Sequence, residues 1–365
     1  MTTSPLPEAS LKAMGPVHAP MQAPVCIVGA GALGSFVGAR LALAGQAVQM
    51  VGRPAQVQAL AAGGLRLIDA SGTRTVALPA TTEMAAVAQA GLVVLCVKSA
   101  DTEAAARQLA PHLAPGAVLL SLQNGVSNAP LLAAMLQRPV LAGVAYIAAA
   151  MPALGEVRHA GGLGVVLGAV AATEAGTGSS SAADGGIALT ALTPGPAALQ
   201  ALQAVQERLQ QAGFEVSLSG TPLAELWRKL VVNCACNAIS ALAQAPYGVM
   251  AALPAVRELQ AAVVREAVAV AQAEGQALDE AEMLAAVDRV ARLMATQRSS
   301  TAQDLARGRT SEIDHLNGEV LRAGARHGIH TPANQALVAL VKLQEAMQAQ
   351  AFQGQDTQRQ DISRP

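Results

Sequence analysis

Three glycines near the start of the chain follow the spacing G-x-G-x-x-G. They are Gly29, Gly31 and Gly34, which stand directly after the apolar run Val25–Val28 and open a helical pattern. In such a loop the first glycine allows a tight turn, the second lets the backbone approach a pyrophosphate, and the third lets helix and strand pack closely. The N–H groups at the helix start then face the phosphates. The pattern predicts a dinucleotide site, and its alternative is a glycine-rich turn in an ordinary strand–helix unit.

An arginine stands where the second strand of such a unit ends. An NAD site usually carries Asp or Glu at this point to bind the ribose 2′-hydroxyl. No acid occurs here between Arg40 and Ile68, and Arg53 offers a guanidinium instead. A guanidinium binds phosphate with charge-assisted hydrogen bonds, so the sequence favours NADP over NAD. The alternative is a solvated surface arginine.

Polar residues also follow two later apolar runs and line one helical stretch. Lys98 ends LVVLCVK and Asn124 follows LLSLQ, where the carboxyl ends of parallel strands bind ligands. The stretch ELWRKLVVNCACN places Lys229, Asn233 and Asn237 four residues apart, on one face of a helix. Because burying such a stripe is costly unless its groups are satisfied, it is expected to face a cleft. A stripe that faces solvent is the alternative.

A fourth polar cluster occurs in SSTAQDLARGRTSEIDHLNG, from Ser299 to Gly318. Its hydroxyl, carboxylate and amide side chains are Ser299, Ser300, Asp304, Glu312, Asp314 and Asn317. Composition alone leaves two interpretations open: a site, or a polar helix–loop–helix surface with Ser and Thr caps.

Strand and helix patterns alternate in the first part of the chain, which predicts a parallel sheet covered on both faces. The predicted strands are Val25–Val28, Ala47–Val51, Leu92–Val97, Ala117–Leu122, Val140–Ile147 and Phe214–Leu218. The predicted helices are Ala32–Ala44, Thr102–Leu113 and Ala198–Ala212. The segment Val157–Val170 is interpreted as a strand pair, with turns at its glycines. From Pro222 to about Gln350 the pattern is helical, and the expected breaks are Tyr247-Gly248, Pro254, Gly275, Gly308 and Gly328–Pro332.

These patterns predict an α/β fold, with a Rossmann-type dinucleotide-binding domain followed by an all-helical C-terminal domain. The predicted boundaries place the NADP-binding domain at 24–220 and the helical domain at 221–350. Residues 1–23 are expected to be a disordered extension, and residues 351–365 a loose tail. The Ala/Gly/Ser/Thr stretch 171–195 is expected to be a flexible, dispensable insertion.

Composition excludes several classes of protein. The formal net charge is −1 and the cations are scattered, which argues against a nucleic-acid binder. We find neither a run of about 18 strongly apolar residues, as a membrane span needs, nor a signal peptide. The four cysteines, Cys26, Cys96, Cys234 and Cys236, lie in apolar surroundings without a metal-ligand spacing. We therefore expect a cytoplasmic protein with reduced cysteines, no metal, no membrane partner and no nucleic-acid partner.

The glycine loop, CVKS, LQNG, ELWRKLVVNCACN and SSTAQDLARGRTSEIDHLNG together resemble the ketopantoate reductase family, over about Val25 to Ala346. The resemblance implies NADPH-dependent reduction of a small 2-oxo acid, 2-dehydropantoate (ketopantoate), to (R)-pantoate in pantothenate synthesis. It also implies that the helical domain binds substrate and is a candidate surface for a homodimer.

The resemblance also implies roles for individual residues. Lys229 matches the catalytic general acid and Glu312 its partner acid, which either binds a substrate hydroxyl or orients Lys229. The implied substrate-binding residues are Asn124, Asn233, Asn237 and Ser300. The implied cofactor-binding residues are Gly29, Ala30, Gly31, Ala32, Leu33, Gly34, Arg53, Lys98, Asn124 and Glu312.

The chain departs from the family pattern at Gln297, at Ser299-Ser300-Thr301, in the insertion and in the N-terminal extension, which leaves the exact substrate open. The alternatives are a reductase of another 2-oxo acid, a β-hydroxyacid dehydrogenase of similar build, a non-catalytic NADP-binding sensor, and a partner-binding protein. The last of these has no supporting motif.

Overall fold

The computed structural model describes residues 23–172, 189–191 and 195–362. They divide into two compact units after Glu225, within a helix and a few residues beyond the predicted boundary at 220. Among these residues, none of the helices combines the length and the apolar character that a membrane span requires.

The first unit is a mixed sheet covered by helices. Its strands are β1 (Val25–Val28), β2 (Val48–Val51), β3 (Leu65–Asp69), β4 (Gly72–Val76), β5 (Ala80–Thr81), β6 (Leu92–Leu95), β7 (Val118–Ser121), β8 (Val140–Ala150), β9 (Glu156–Ala172), β10 (Leu189–Ala191) and β11 (Glu215–Leu218). Its helices are α1 (Ala32–Leu43), α2 (Pro54–Gly63), α3 (Thr102–Leu109), α4 (Asn128–Leu136) and α5 (Pro196–Gln211).

The middle of the sheet is parallel, in the order β7-β6-β1-β2-β5. Every residue of β1, β6 and β7 is buried, which explains why these strands are nearly continuous apolar runs. The chain leaves β1 toward β2 and later returns to the other side of β1 as β6, so the strand order switches direction beside β1. Ligands of open α/β sheets bind outside the carboxyl ends of the strands at such a point. The predicted fold class is confirmed.

The core of this unit is almost wholly aliphatic. Ile27, Leu67 and Leu120 are fully buried between sheet and helices. A rare aromatic contact occurs at Phe36 of α1, whose ring stacks on His159 at 4.4 Å and meets Phe214 edge-on at 5.9 Å. Aliphatic packing therefore replaces the aromatic packing that the composition lacks.

The prediction of a strand pair over Val157–Val170 is wrong. The segment belongs to one long strand, β9, which pairs antiparallel with β8. The register shifts between Tyr146 and Ala149, opposite Gly161 and Gly162, whose φ angles of 143° and 73° suit glycine alone. The glycines therefore form an irregularity inside a continuous strand instead of a turn.

The second unit is helical, as predicted. Its helices are α6 (Pro222–Ala243), α7 (Tyr247–Ala251), α8 (Pro254–Ala273), α9 (Glu280–Leu293), α10 (Ser300–Ala306), α11 (Asn317–Arg326) and α12 (Pro332–Ile362). Proline at the first helical position starts α8 and α12, where its fixed φ angle suits a helix. The break predicted at Tyr247-Gly248 lies just before these residues, since α6 ends at Ala243 and α7 begins at Tyr247.

The structure describes parts of the segments that the sequence analysis expects to be loose or flexible. The backbone of α12 is helical to Ile362; half of residues 351–362 are good helix formers, and none of them is proline. At the edges of the predicted insertion, β10 pairs antiparallel with the end of β9, so these edges are strand. The rest of the predicted insertion, residues 173–188 and 192–194, lies outside the described residues, as do residues 1–22.

Candidate active site

Two glycines of the loop after β1 are fixed by close packing. The φ angle of Gly29 is +110°, and a Cβ atom there would lie 2.6 Å from the backbone of Cys96 and Val97, just after β6. The N–H of Gly29 donates to the carbonyl of Val51 at 2.9 Å. A Cβ atom on Gly34 would overlap the carbonyl oxygen of Gly29. The loop is therefore held against the ends of its two neighbouring strands.

Gly31 has the opposite surroundings. A Cβ atom there would meet none of the described residues within 4 Å. Gly31 is the N-cap of α1, and the first N–H groups of a helix have no intrahelical acceptor. Open space beside a positively polarised helix end fits a pyrophosphate group. Gly29 to Gly34 therefore have the local shape that a dinucleotide needs, with Ala30, Ala32 and Leu33 contributing backbone.

The parallel sheet brings the polar residues of the first unit to one edge. Gly29 follows β1, Arg53 follows β2, Lys98 follows β6 and Asn124 follows β7. Both later strands are shorter than predicted: β6 ends at Leu95 and β7 at Ser121, so Lys98 and Asn124 lie in loops. The placement at the carboxyl edge agrees with the sequence analysis.

A buried polar network fixes the loop that carries Asn124. Asn128 donates to the Asn124 carbonyl at 2.6 Å and to Ser99 Oγ at 3.0 Å, and Ser99 Oγ donates to the same carbonyl at 3.1 Å. Thr102 donates to Asn128 Oδ1 at 2.8 Å and accepts from Gln123 at 2.6 Å. The network ties the loop after β6 to the loop after β7. Sequence reasoning missed it, although the polar residues crowded after both apolar runs are its signal.

The guanidinium of Arg53 forms an ion pair that the sequence analysis did not predict. Its Nη2 atom lies 3.0 Å from Oδ2 of Asp101, in the 3-10 turn Ser99–Asp101 after β6. The side chains are 83% and 48% exposed. Arg53 is also the N-cap residue of α2. The arginine that follows β2 is thus paired with an acid from a different loop.

In the second unit, α6 carries the predicted polar stripe. Lys229, Asn233 and Asn237 lie on one helix with the spacing of one face, as predicted. Asn237 is buried, whereas Lys229 and Asn233 are half-buried. Tyr247 Oη approaches Asn237 Oδ1 at 3.5 Å.

The structure distinguishes the two serines at the start of α10. Ser299 is buried; its Oγ donates to the Asn237 carbonyl at 3.0 Å and accepts from the Ala302 N–H at 3.0 Å. Its own N–H donates to Ser240 Oγ at 3.1 Å. Ser300 is exposed at the first position of the helix. Ser299 therefore joins the start of α10 to α6, through the backbone carbonyl of Asn237 and the hydroxyl of Ser240.

The ammonium of Lys229 is in an environment that weakens its hold on a proton. Burial lowers its pKa from 10.5 to about 8, and the negative charge of Glu312 partly opposes this effect. A lysine with this pKa is mostly protonated at pH 7, yet it releases a proton more readily than an exposed lysine. The structure thus brings Lys229 and Glu312 within electrostatic reach of each other. Such a group suits general acid–base chemistry.

The segment that carries Glu312 is bound on its two sides to α12 and, through Asn317, to α6. Glu345 of α12 accepts hydrogen bonds from the N–H and the Oγ of Ser311, both at 2.7 Å. Asn317 donates to the Cys234 carbonyl on α6 at 3.1 Å and to Asn334 Oδ1 at 2.9 Å. Glu345 lies outside the motifs, and no local signal in the sequence points to its role.

The cysteines are unsuited to nucleophilic chemistry. Burial raises the pKa of Cys26 and Cys96 to about 12, which keeps both thiols protonated. Within the described parts of the chain, no group of three or more His, Cys, Asp or Glu could hold a metal ion.

Comparison with known proteins gives concordant matches across both units. The family model for ketopantoate reductase PanE/ApbA matches residues 25–172, and the model for its C-terminal part matches residues 223–345. The 2-dehydropantoate 2-reductase of Halobacterium salinarum is 34% identical, over 87% of this chain and 98% of that protein. The one of Archaeoglobus fulgidus is 33% identical, over 87% and 96%.

Solved structures agree with these matches. A crystal structure of a PanE/ApbA family ketopantoate reductase from Ralstonia eutropha JMP134 is 41% identical, with a TM-score of 0.77 over 89% of this chain and 99% of that one. D-mandelate dehydrogenase with NADH and anilino(oxo)acetate has a TM-score of 0.78 over the same shares, and at 22% identity it shares the fold alone. Since the family models match most of the chain and both of its units, the chain belongs to the ketopantoate reductase family.

Proposed function

We propose that this protein catalyses the NADPH-dependent reduction of 2-dehydropantoate to (R)-pantoate in pantothenate synthesis. The observation that carries the proposal is the half-buried Lys229, whose pKa of about 8 reflects burial opposed by the charge of Glu312. It occurs in a chain 34% identical to a protein named 2-dehydropantoate 2-reductase. The free cysteines fit a reducing compartment, and we place the reaction in the cytoplasm.

The first unit has the residues to hold the cofactor. The loop Gly29–Gly34 and the start of α1 would bind the pyrophosphate, and Arg53 the 2′-phosphate. Lys98 and Asn124, at the same sheet edge, would bind the nicotinamide half. Bound NADPH would supply the hydride that the carbonyl carbon accepts.

Lys229 would supply the proton. Its Nζ–H donates to the carbonyl oxygen, which becomes the hydroxyl oxygen of the product, so that one hydride and one proton convert C=O to CH–OH. Before transfer, the ammonium charge stabilises the oxygen as negative charge develops on it. The neutral amine left behind regains a proton from water, since its pKa is about 8.

The remaining polar groups of the second unit would bind the substrate. The amides of Asn233 and Asn237 and the hydroxyl of Ser300 offer uncharged hydrogen bonds to its carboxylate and hydroxyl. Glu312 raises the pKa of Lys229 and so favours the protonated acid. It is also an acceptor for a substrate hydroxyl.

The direct test is oxidation of NADPH with a panel of 2-oxo acids: 2-dehydropantoate, 2-oxoisovalerate, pyruvate and phenylglyoxylate. We expect the highest kcat/KM with 2-dehydropantoate, and chiral chromatography should identify the product as (R)-pantoate. Lys229→Ala, prepared in the same way, controls for contaminating reductases. Faster turnover of another acid would assign a different substrate, and NADPH binding without turnover of any acid would indicate a sensor.

A further inference from the structure

The ion pair between Arg53 and Asp101 lies where the sequence analysis expects a 2′-phosphate to bind. Its two members come from different strand ends: Arg53 follows β2, and Asp101 follows β6, on the other side of β1. Their closest atoms are 3.0 Å apart, and both side chains are well exposed. Any anion that binds this guanidinium must therefore share it with a carboxylate or displace that carboxylate.

The exposure of the pair makes the carboxylate exchangeable. Ion pairs between exposed side chains contribute little to stability, because water screens the charges and holding two long side chains costs entropy. A phosphate monoester carries a charge of about −1.5 to −2 near neutral pH and offers three acceptor oxygens to a guanidinium. The phosphate can therefore displace the carboxylate from the guanidinium of Arg53, but it then lies beside the negative charge of Asp101.

The same carboxylate has a different effect on a cofactor without that phosphate. In NAD sites an Asp or Glu accepts hydrogen bonds from the ribose hydroxyls. Asp101 places a carboxylate at the same sheet edge as Gly29 and Arg53, although it does not end β2. A ribose 2′-hydroxyl can donate to it, whereas a 2′-phosphate, which is mostly dianionic near neutral pH, is repelled.

We propose that Asp101 sets the cofactor preference of this protein: its carboxylate competes with the 2′-phosphate of NADPH for Arg53 and accepts a ribose hydroxyl of NADH. This inference rests on the proposed function, because it requires a nicotinamide cofactor on this edge of the sheet. With Asp101 present, the ratio of the affinities for NADPH and NADH is smaller than Arg53 alone would give. The protein therefore binds both cofactors.

The test measures binding by isothermal titration calorimetry, without substrate and without turnover. Asp101→Asn removes the charge and keeps the shape. The ligands are NADPH and NADH, together with adenosine 2′,5′-bisphosphate and adenosine 5′-monophosphate, which differ only in the 2′-phosphate. We expect Asp101→Asn to bind NADPH and the bisphosphate about two- to fivefold more tightly, the scale of one exposed charge interaction. Binding of NADH and the monophosphate should be unchanged or weaker.

A matched control is Glu103→Gln, which removes one negative charge two residues further along. Glu103 is an exposed acid of α3 that pairs with Arg107. This variant should change each affinity less than twofold. The gain from Asp101→Asn should also shrink as KCl is raised, because salt screens exposed charges.

The outcomes separate this inference from the proposed function. If the wild-type protein binds NADPH but Asp101→Asn binds it no more tightly, Asp101 does not set the preference and the inference alone fails. The inference is also overturned if Asp101→Asn tightens the binding of NADPH and NADH equally, or if Glu103→Gln gains as much affinity for NADPH. Either result would mean that only the overall charge of the protein matters. A wild-type protein that binds none of the four ligands would overturn the inference and the proposed function together.

Discussion

The two cations that we assign to the reaction, Arg53 and Lys229, lie in opposite surroundings. The side chain of Arg53 is 83% exposed and pairs with an exposed carboxylate at 3.0 Å. Lys229 is half-buried, and burial lowers its pKa to about 8 against the opposing charge of Glu312. Each cation has an acid from another segment within electrostatic reach, yet the consequences of that arrangement differ.

The difference shows that exposure to solvent determines the role of a pair formed by a cation and an acid. In water a pair is weak, and a stronger anion can replace the carboxylate, which suits the binding and release of a phosphate. Away from water the charge itself is costly, so small changes in the surroundings change the pKa, which suits proton transfer. The following predictions test this comparison.

The largest effect is expected from Lys229→Ala. Loss of a general acid usually lowers the rate by about 100-fold or more, so turnover of the best 2-oxo acid should fall by at least that factor. NADPH binding should hardly change, because the residues assigned to the cofactor lie mainly in the first unit. Steady-state kinetics and fluorescence titration of NADPH measure the two quantities separately.

Lys229→Arg refines the same test. The guanidinium keeps the charge but is a poor proton donor, since its pKa is above 12. Substrate binding without turnover would assign proton donation to Lys229, and restored turnover would leave electrostatic stabilisation as its role. A folded Lys229→Ala protein with near-normal turnover would contradict both.

Arg53→Ala should have the second largest effect. A charge-assisted hydrogen bond contributes about 1.5–3 kcal/mol, or roughly 10- to 150-fold in affinity for NADPH. Because Asp101 competes for the guanidinium, we expect a loss near tenfold, with little change for NADH. Calorimetric titration with each cofactor measures this, and equal losses for both cofactors would remove Arg53 from the 2′-phosphate site.

The comparison also explains which parts of the molecule the sequence could predict. The glycine loop and the stripe of Lys229, Asn233 and Asn237 depend on neighbours within a few residues, so spacing alone locates them. The pairs Arg53–Asp101 and Ser311–Glu345 join residues 48 and 34 positions apart. Their partners are chosen by the tertiary fold, and no local pattern records that choice.

Strand pairing limited the prediction of the fold in the same way. Glycines in β9 indicate a turn when read locally, but pairing with β8 keeps the strand continuous through them. Strand β4 of the β3–β4 hairpin has no apolar alternation, since its first four residues are polar or glycine and are exposed. Pairing with neighbouring strands therefore overrides the local structural preference of these residues.

A change of pH should reveal the part that Glu312 plays. The reductive reaction needs protonated Lys229, so kcat/KM should be constant below about pH 8 and fall about tenfold per pH unit above it. Glu312→Gln removes a charge that raises the pKa of Lys229, so the fall should begin at lower pH. Near pH 6 the variant should recover most of its kcat.

The same experiment separates the two roles of Glu312. If Glu312 also binds a substrate hydroxyl, KM rises at every pH, whereas a purely electrostatic role leaves KM unchanged at low pH. Glu282→Gln is the control, since Glu282 is an exposed acid of the same unit that pairs with Arg228. A profile in Glu312→Gln identical to that of the wild type would contradict the coupling.

The smallest expected effect is a change in the free energy of unfolding when Lys229 is replaced. The sign of this change differs between a buried lysine and an exposed one. The pKa of folded Lys229, about 8, is below its unfolded value of 10.5, so folding below pH 8 carries the full cost of the buried charge. Between pH 8 and 10.5 the unfolded state binds more protons, and this group makes the free energy of unfolding rise with pH. The shift corresponds to at most about 3.4 kcal/mol, which partial exposure reduces to about 1–2 kcal/mol. Lys229→Met should therefore stabilise the protein by about 1–2 kcal/mol at pH 7, and the gain should fade toward pH 10.5.

Lys342 provides the opposite case in the same unit. Burial lowers its pKa, but hydrogen bonds and charges from Asp314 and Glu345 outweigh that effect and raise the pKa overall. A raised pKa contributes stability below the unfolded value and loses it above, so Lys342→Met should destabilise the protein slightly at pH 7. Urea denaturation of both variants and the wild type at pH 7 and pH 10 measures the sign of each change in the free energy of unfolding. If Lys229→Met were less stable than the wild type at pH 7, the ammonium would be a stabilising group, and burial could not be what tunes it for proton transfer.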